Sequence, residues 1–175
     1  MMKQQKESVN GIIFSQDRNQ LLLTKRCDIP VWALPGGGVE LNETPEQAMI
    51  REMHEETGYH VTCSRKIAKY SFCKFYIFPC HEVHLYECHI LAGTPTLSNE
   101  TQEIRFFPLN ALPSILFYLH ANWIKDAIPI QSHLINKNIT HLLHGVVIKF
   151  FILHPKLSIQ FCAAKIKLKI FNHRK

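Results

Sequence analysis

The pattern of this chain predicts an α/β domain, and three observations predict it. Short runs rich in β-branched and aromatic residues recur at 9–15, 20–26, 61–77, 82–91 and 104–107, bounded by turn residues. A sharply delimited helical segment, 45–57, lies between the second and third runs. A second helical stripe over 113–128 follows the last run.

In chain order, 9–15 and 20–26 read as the two arms of a first hairpin around Asp17-Arg18-Asn19. Arg26 closes the second arm, where it can meet a substrate phosphate or stand as an edge charge. Asp28 and Pro30 belong to a connecting loop that leads through Trp32 to Pro35-Gly36-Gly37-Gly38. Trp32 suits core packing better than a base-stacking platform, because tryptophan is mostly buried. The glycines allow backbone to approach an ion or phosphate closely.

The helix carries its own punctuation. Thr44 is placed as N-cap, Pro45 at the first helical position, and Gln47 completes a capping box. Gly58 supplies a left-handed C-cap. Met49, Ile50 and Met53 form a packing stripe. On the other side, Glu52, Glu55 and Glu56 sit at i, i+3 and i+4 and so share one face. Like charges so placed cost a helix about 0.2–0.5 kcal/mol per neighbouring pair. A hard divalent cation converts that repulsion into coordination, since it takes oxygen ligands from carboxylates and phosphates. Arg51 lies among the acids and can hold Glu43 or Glu55 through a bidentate pair.

Gly37, Glu43, Arg51, Glu52, Glu55, Glu56 and Gly58 fill the fixed positions of G-x5-E-x7-R-E-U-x-E-E-x-G-U, with Met53 and Tyr59 in the apolar slots U. The segment therefore resembles the signature of the Nudix hydrolase family. That resemblance covers residues 1–128 and implies an α/β/α sandwich with a mixed central sheet. It implies a metal-dependent pyrophosphohydrolase acting on a nucleoside diphosphate linked to a further group. Glu55 and Glu56 are then expected to ligate Mg²⁺, with Mn²⁺ as the alternative, and the carbonyl of Gly36 or Gly37 to add a neutral oxygen. Glu52 is expected to bind a second metal or take the proton of the attacking water. Glu43 and Arg51 hold the set rigid, and Gly36, Gly37 and Gly38 meet the substrate. The run E-x-R-F-F-P-L-N-A-L-P resembles the segment that follows the signature in this family, where a glutamate often completes the site; Glu103 is favoured over Glu100.

Substrate class is less sharply marked. W-A-L-P-G-G-G-V-E resembles MutT-like members acting on (deoxy)nucleoside triphosphates. Tyr76, 17 residues past Tyr59, resembles a tyrosine of the dinucleoside-polyphosphate branch. Two further readings are a catalytically silent Nudix-fold binding module and an RNA 5′-end pyrophosphohydrolase targeted by a basic tail.

That tail follows from charge. Residues 1–128 hold 12 Lys+Arg against all 14 Asp+Glu; residues 129–175 hold 8 Lys+Arg and no acid. A boundary is therefore expected near Pro129, separating a domain at 1–128 from an atypical basic, apolar extension at 129–175. Strict alternation of Lys and Ile/Leu over 165–170 suits a packed edge strand or a homodimer contact. It also suits RNA phosphates or an anionic membrane surface, which are less favoured because the apolar half needs burial. The first ten residues lack an apolar signal core, and no uninterrupted apolar run reaches the roughly 18 residues of a membrane span. The six cysteines contain no C-x-x-C, so reduced thiols in a cytoplasmic protein are expected. Cys80, His84 and Cys88 share a strand face, a weak pattern for zinc against plain sheet-face polar residues.

Overall fold

The computed structural model describes residues 6–72 and 80–140. The elements run β1 (Lys6–Ile12), β2 (Gln20–Arg26), β3 (Trp32–Ala33), α1 (Pro45–Thr57), β4 (Tyr59–Phe72), β5 (His81–Gly93), β6 (Thr101–Pro108), α2 (His120–Ala127) and β7 (Ile135–Asn138). A four-stranded mixed sheet has the order β1-β5-β4-β7, and a three-stranded antiparallel sheet has the order β3-β2-β6. In the larger sheet β1 runs parallel to β5, β5 antiparallel to β4, and β4 parallel to β7.

The interior explains the layering. Leu21, Leu22 and Leu23 of β2 are all buried, the continuous apolar run of a strand covered on both faces. Leu22 packs with Met49 and Met53 of α1, together with Val9, Val61, Tyr86 and Cys88. Leu21 and Leu23 pack the opposite way, with Ile67, Leu85 and α2 residues Trp123, Ile124 and Ala127. Helices thus cover both faces of mixed β structure, the sandwich that was expected.

Three local expectations change. The first two strands meet only near their turn, through Leu22 N–H to Ile13 O (2.9 Å) and Ser15 N–H to Gln20 O (3.0 Å). Beyond that, β1 joins β5 while β2 joins β3 and β6, so the hairpin splits between the sheets. Burial of both strands on two sides requires more partners than each other. The second helix begins at His120 rather than near 113. Trp32 captures the preceding backbone instead, donating to Ile115 O (2.9 Å) and accepting from Phe117 N–H (2.7 Å).

β7 was not anticipated. Its pairing with β4 runs from Ala68↔Ile135 to Ser71↔Asn138. Lys137 Nζ also reaches Asp126 Oδ1 of α2 at 2.6 Å. Residues past 128 therefore contribute to the larger sheet. Tyr76 and residues 141–175, including the alternating segment 165–170, lie outside the described residues. Among the described residues no helix is long and apolar enough to cross a membrane.

Candidate active site

The site is built where α1 lies over the glycine loop. Gln47 N–H donates to Thr44 Oγ1 (3.2 Å) and Thr44 N–H to Gln47 Oε1 (2.8 Å), so the capping box is complete. At the other end Gly58 adopts φ 75° and donates to His54 O at 2.8 Å. Ala48, Met49 and Met53 are fully buried and seat one face of the helix. That seating leaves Arg51, Glu52 and Glu56 toward the loop, while Glu55 is exposed and joins the set through Arg51.

Arg51 joins almost every element of this arrangement. Its Nε and Nη2 form a fork on Glu43 at 3.2 and 2.6 Å. Nη1 reaches Glu52 (2.9 Å) and Glu55 (3.2 Å), and Nη2 also donates to Gly38 O (3.0 Å). Glu43 in turn accepts from Glu40 N–H at 2.7 Å. The guanidinium beside Glu43 holds that carboxyl below its ordinary value, and the hydrogen bond to Glu43 raises the arginine above its own.

Glu56 is the buried acid of the set, 8% exposed. Gly36 N–H donates to its Oε2 at 3.0 Å. Burial nevertheless pushes its pKa up to about 7; the Gly36 hydrogen bond opposes the rise, and the Glu52 charge adds to it. Burial also raises Glu52, with Arg51 working against the shift. Two carboxylates are therefore held with incomplete compensation for their charge, which favours a cation or a proton between them.

The loop glycines have distinct reasons. A Cβ at Gly36, where φ is 150°, would lie 2.1 Å from Val9 O. A Cβ at Gly37 would lie 2.3 Å from Glu52 Oε1, so the carboxylate occupies the space a side chain would take. Of the two carbonyls expected as neutral ligands, that of Gly37 already accepts from Val9 N–H at 2.9 Å.

The acids after the signature separate. Glu103 pairs with Lys25 (3.9 Å) and with Arg105. Glu100, by contrast, acts electrostatically on both Glu52 and Glu56. Arg26 is held in a fork by Asp28 at 2.8 and 2.7 Å, and its charge reaches Glu56.

Two supporting residues carry no local sequence signal. Asn10 Nδ2 donates to the carbonyls of Leu34 (3.2 Å) and Pro35 (3.4 Å), fixing the approach to the glycines. His120 Nδ1 accepts from Leu34 N–H at 2.8 Å, with its ring stacked on Trp123. Burial, and then the Arg26 charge, push its pKa down to about 3, so this histidine is neutral.

Away from the site, the expected Cys80–His84–Cys88 face finds other partners: His84 meets Glu7 at 3.3 Å and the Cys88 sulfur meets Cys63. Glu7, Glu82 and His84 bring ligand atoms within 4.8 Å of one another. Lys69 Nζ already sits 2.8 Å from Glu82, and the Lys66 charge faces His84.

A model of the NUDIX domain matches residues 5–129. The chain belongs to the NUDIX family. A Bacillus subtilis (strain 168) protein named "Putative 8-oxo-dGTP diphosphatase" is 38% identical over 116 residues, 66% of this chain and 75% of that protein. An "ADP-ribose pyrophosphatase" of Methanocaldococcus jannaschii is 34% identical over 128 residues, covering 68% of this chain and 70% of its own length. Among solved structures, an ADP-ribose pyrophosphatase from Streptococcus suis 89-1591 superposes with a TM-score of 0.61 at 25% identity, covering 75% of this chain and 98% of that one. This NUDIX protein is accordingly a hydrolase, and the helix and loop just described are its signature segment.

Proposed function

We propose that this NUDIX hydrolase is a divalent-cation-dependent pyrophosphohydrolase of nucleoside diphosphates bearing a further group, with (deoxy)nucleoside triphosphates or dinucleoside polyphosphates as substrates. The observation that carries the reading is the convergence of Glu52 and Glu56 on the glycine loop. The Gly36 amide bonds Glu56, and the Glu52 carboxylate fills the space over Gly37.

The donor set fits a hard cation. Glu56 is a buried carboxylate whose charge is under-compensated, and all the candidate ligands are oxygens. Glu52, Glu55 and Glu56 would hold Mg²⁺ or Mn²⁺, with the Gly36 carbonyl as the neutral donor. When bound, such an ion neutralises pyrophosphate oxygens and makes water a stronger nucleophile. The chain's own groups do the rest. Arg51 and Glu43 keep the helix and loop in one geometry, so the acids do not have to be ordered during the reaction. Gly38 leaves open space for a phosphate, since nothing lies within 4 Å of where its Cβ would be. Glu52, Glu100 and Glu103 are the candidate proton acceptors. Glu100 is better supported than Glu103, because its charge acts on Glu52 and on the buried Glu56, while Glu103 is committed to Lys25 and Arg105.

The printed name of the Bacillus subtilis relative supports a nucleoside triphosphate substrate, and those of the archaeal and streptococcal proteins support ADP-ribose as the competing class. A phosphate-release screen over these compounds and capped RNA, with and without Mg²⁺, tests the reading. Highest kcat/KM is expected on a triphosphate or dinucleoside polyphosphate, and none in chelator. Preference for ADP-ribose would move the substrate assignment; turnover without any divalent ion would overturn the site. Glu56→Gln is expected to cut kcat about 10²-fold or more with the fold retained by circular dichroism.

A further inference from the structure

Cys63 of β4 and Cys88 of β5 are register partners in an antiparallel pair. Their sulfurs are 3.9 Å apart and share a hydrogen bond. Directly opposed residues in such a pair have Cα atoms roughly 4.5–5.5 Å apart, inside the span a disulfide bridges. A register shift falls between Cys63 and Arg65, so the backbone beside Cys63 is not locked in a regular ladder. Cys88 is fully buried in the cluster of Met49 and Met53, while Cys63 is half-buried at the margin of that cluster.

We propose that Cys63 and Cys88 are a reversible dithiol–disulfide couple, a modification site for a hydroperoxide oxidant distinct from the hydrolytic site. The two thiols have different roles. The hydrogen bond with Cys88 draws Cys63 below its ordinary pKa, with burial and the Glu46 charge working against that shift. The same contact, and then burial, push Cys88 upward, so it keeps its proton. Cys63, the half-buried member beside a fully buried Cys88, is the sulfur an oxidant from solution reaches, and the shift favours its thiolate.

In the first step the Cys63 sulfur attacks one oxygen of hydrogen peroxide. An S–O bond forms, the O–O bond breaks, hydroxide leaves, and Cys63 becomes a sulfenic acid. In the second step the Cys88 sulfur attacks the Cys63 sulfur. The S–S bond forms, the S–O bond breaks, and the hydroxyl departs as water with the Cys88 proton. A dithiol reductant reverses the couple by exchange. Closing the sulfurs to about 2.0 Å occurs in the layer on which α1 rests.

The test uses the full chain with Cys27, Cys73, Cys80 and Cys162 replaced by serine. Native protein exposed to hydrogen peroxide is expected to lose about 2 Da and to yield one Cys63–Cys88 cross-linked peptide pair, both restored by dithiothreitol. Adding Cys88→Ser to that background should leave a Cys63 sulfenic acid that dimedone traps. Adding Cys63→Ser should leave Cys88 unmodified. Two free thiols alkylated by N-ethylmaleimide after peroxide treatment would overturn the couple, as would a Cys63 sulfinic acid without cross-link. If the serine background does not fold, peptide mapping of the peroxide-treated native chain reads the same cross-link.

Discussion

The three atoms nearest a Cβ on Gly37 all belong to the Glu52 carboxylate, the far end of a flexible side chain. The backbone can stay where it is, and Glu52 must move. Gly37→Ala is therefore expected to leave the urea midpoint almost unchanged while kcat/KM falls at least tenfold, since displacements near 1 Å cost about that much or more. A large loss of stability instead would show that the glycine serves the fold. His120 makes the opposite case. His120→Phe keeps a ring against Trp123 but leaves Leu34 N–H without an acceptor, at a cost of about 1–3 kcal/mol near neutral pH. The native histidine titrates at about 3 when folded and near 6.5 when unfolded. Its contribution is thus complete above about 6.5 and is lost as pH falls toward about 3. Urea unfolding at several pH values should show the gap between wild type and variant closing as the solution is acidified.

The helix α1 depends on its cap as well as its packing. Thr44→Ala removes the acceptor for Gln47 N–H and should cost about 1 kcal/mol, read as a lower urea midpoint with an unchanged slope. This element was legible in the sequence because its signals are local: Thr44, Pro45, Gln47 and Gly58 each act on backbone within a turn. The glycine loop and the acids were legible for the same reason, as fixed spacing on one short segment. What was hidden depends on distant pairings. Trp32 and Leu116 bridge two strand fragments, which shortened α2. His120 and Leu34 are 86 positions apart, and no periodicity marks such a contact. Glu100 and Glu103 flank the same short run; only the register of β6 on β2, which sets Glu103 beside Lys25, separates them. The first hairpin was half right, since its turn holds while its strands part.

At the scale of the whole molecule, the buried acid links stability to pH. Glu56 titrates at about 7 folded, against an ordinary value of 4.5, so the folded state binds the extra proton between those values. In chelator, its contribution is complete below about 4.5 and is lost as pH rises through about 7. Thermal scans should show Glu56→Gln flattening that decline. A divalent cation competes with the same proton, so the gain in Tm from Mg²⁺ should be larger at about pH 8 than at about pH 6. Equal gains at both would separate metal binding from Glu56.

The guanidinium of Arg51, shared among Glu43, Glu52, Glu55 and the Gly38 carbonyl, has a practical corollary. A helix lined with like charges tends to loosen when its counter-ion is withdrawn. Here a resident positive group stays behind as a placeholder. Preparations stripped with chelator should keep their architecture in waiting, and adding back the salt should restore turnover without a refolding lag.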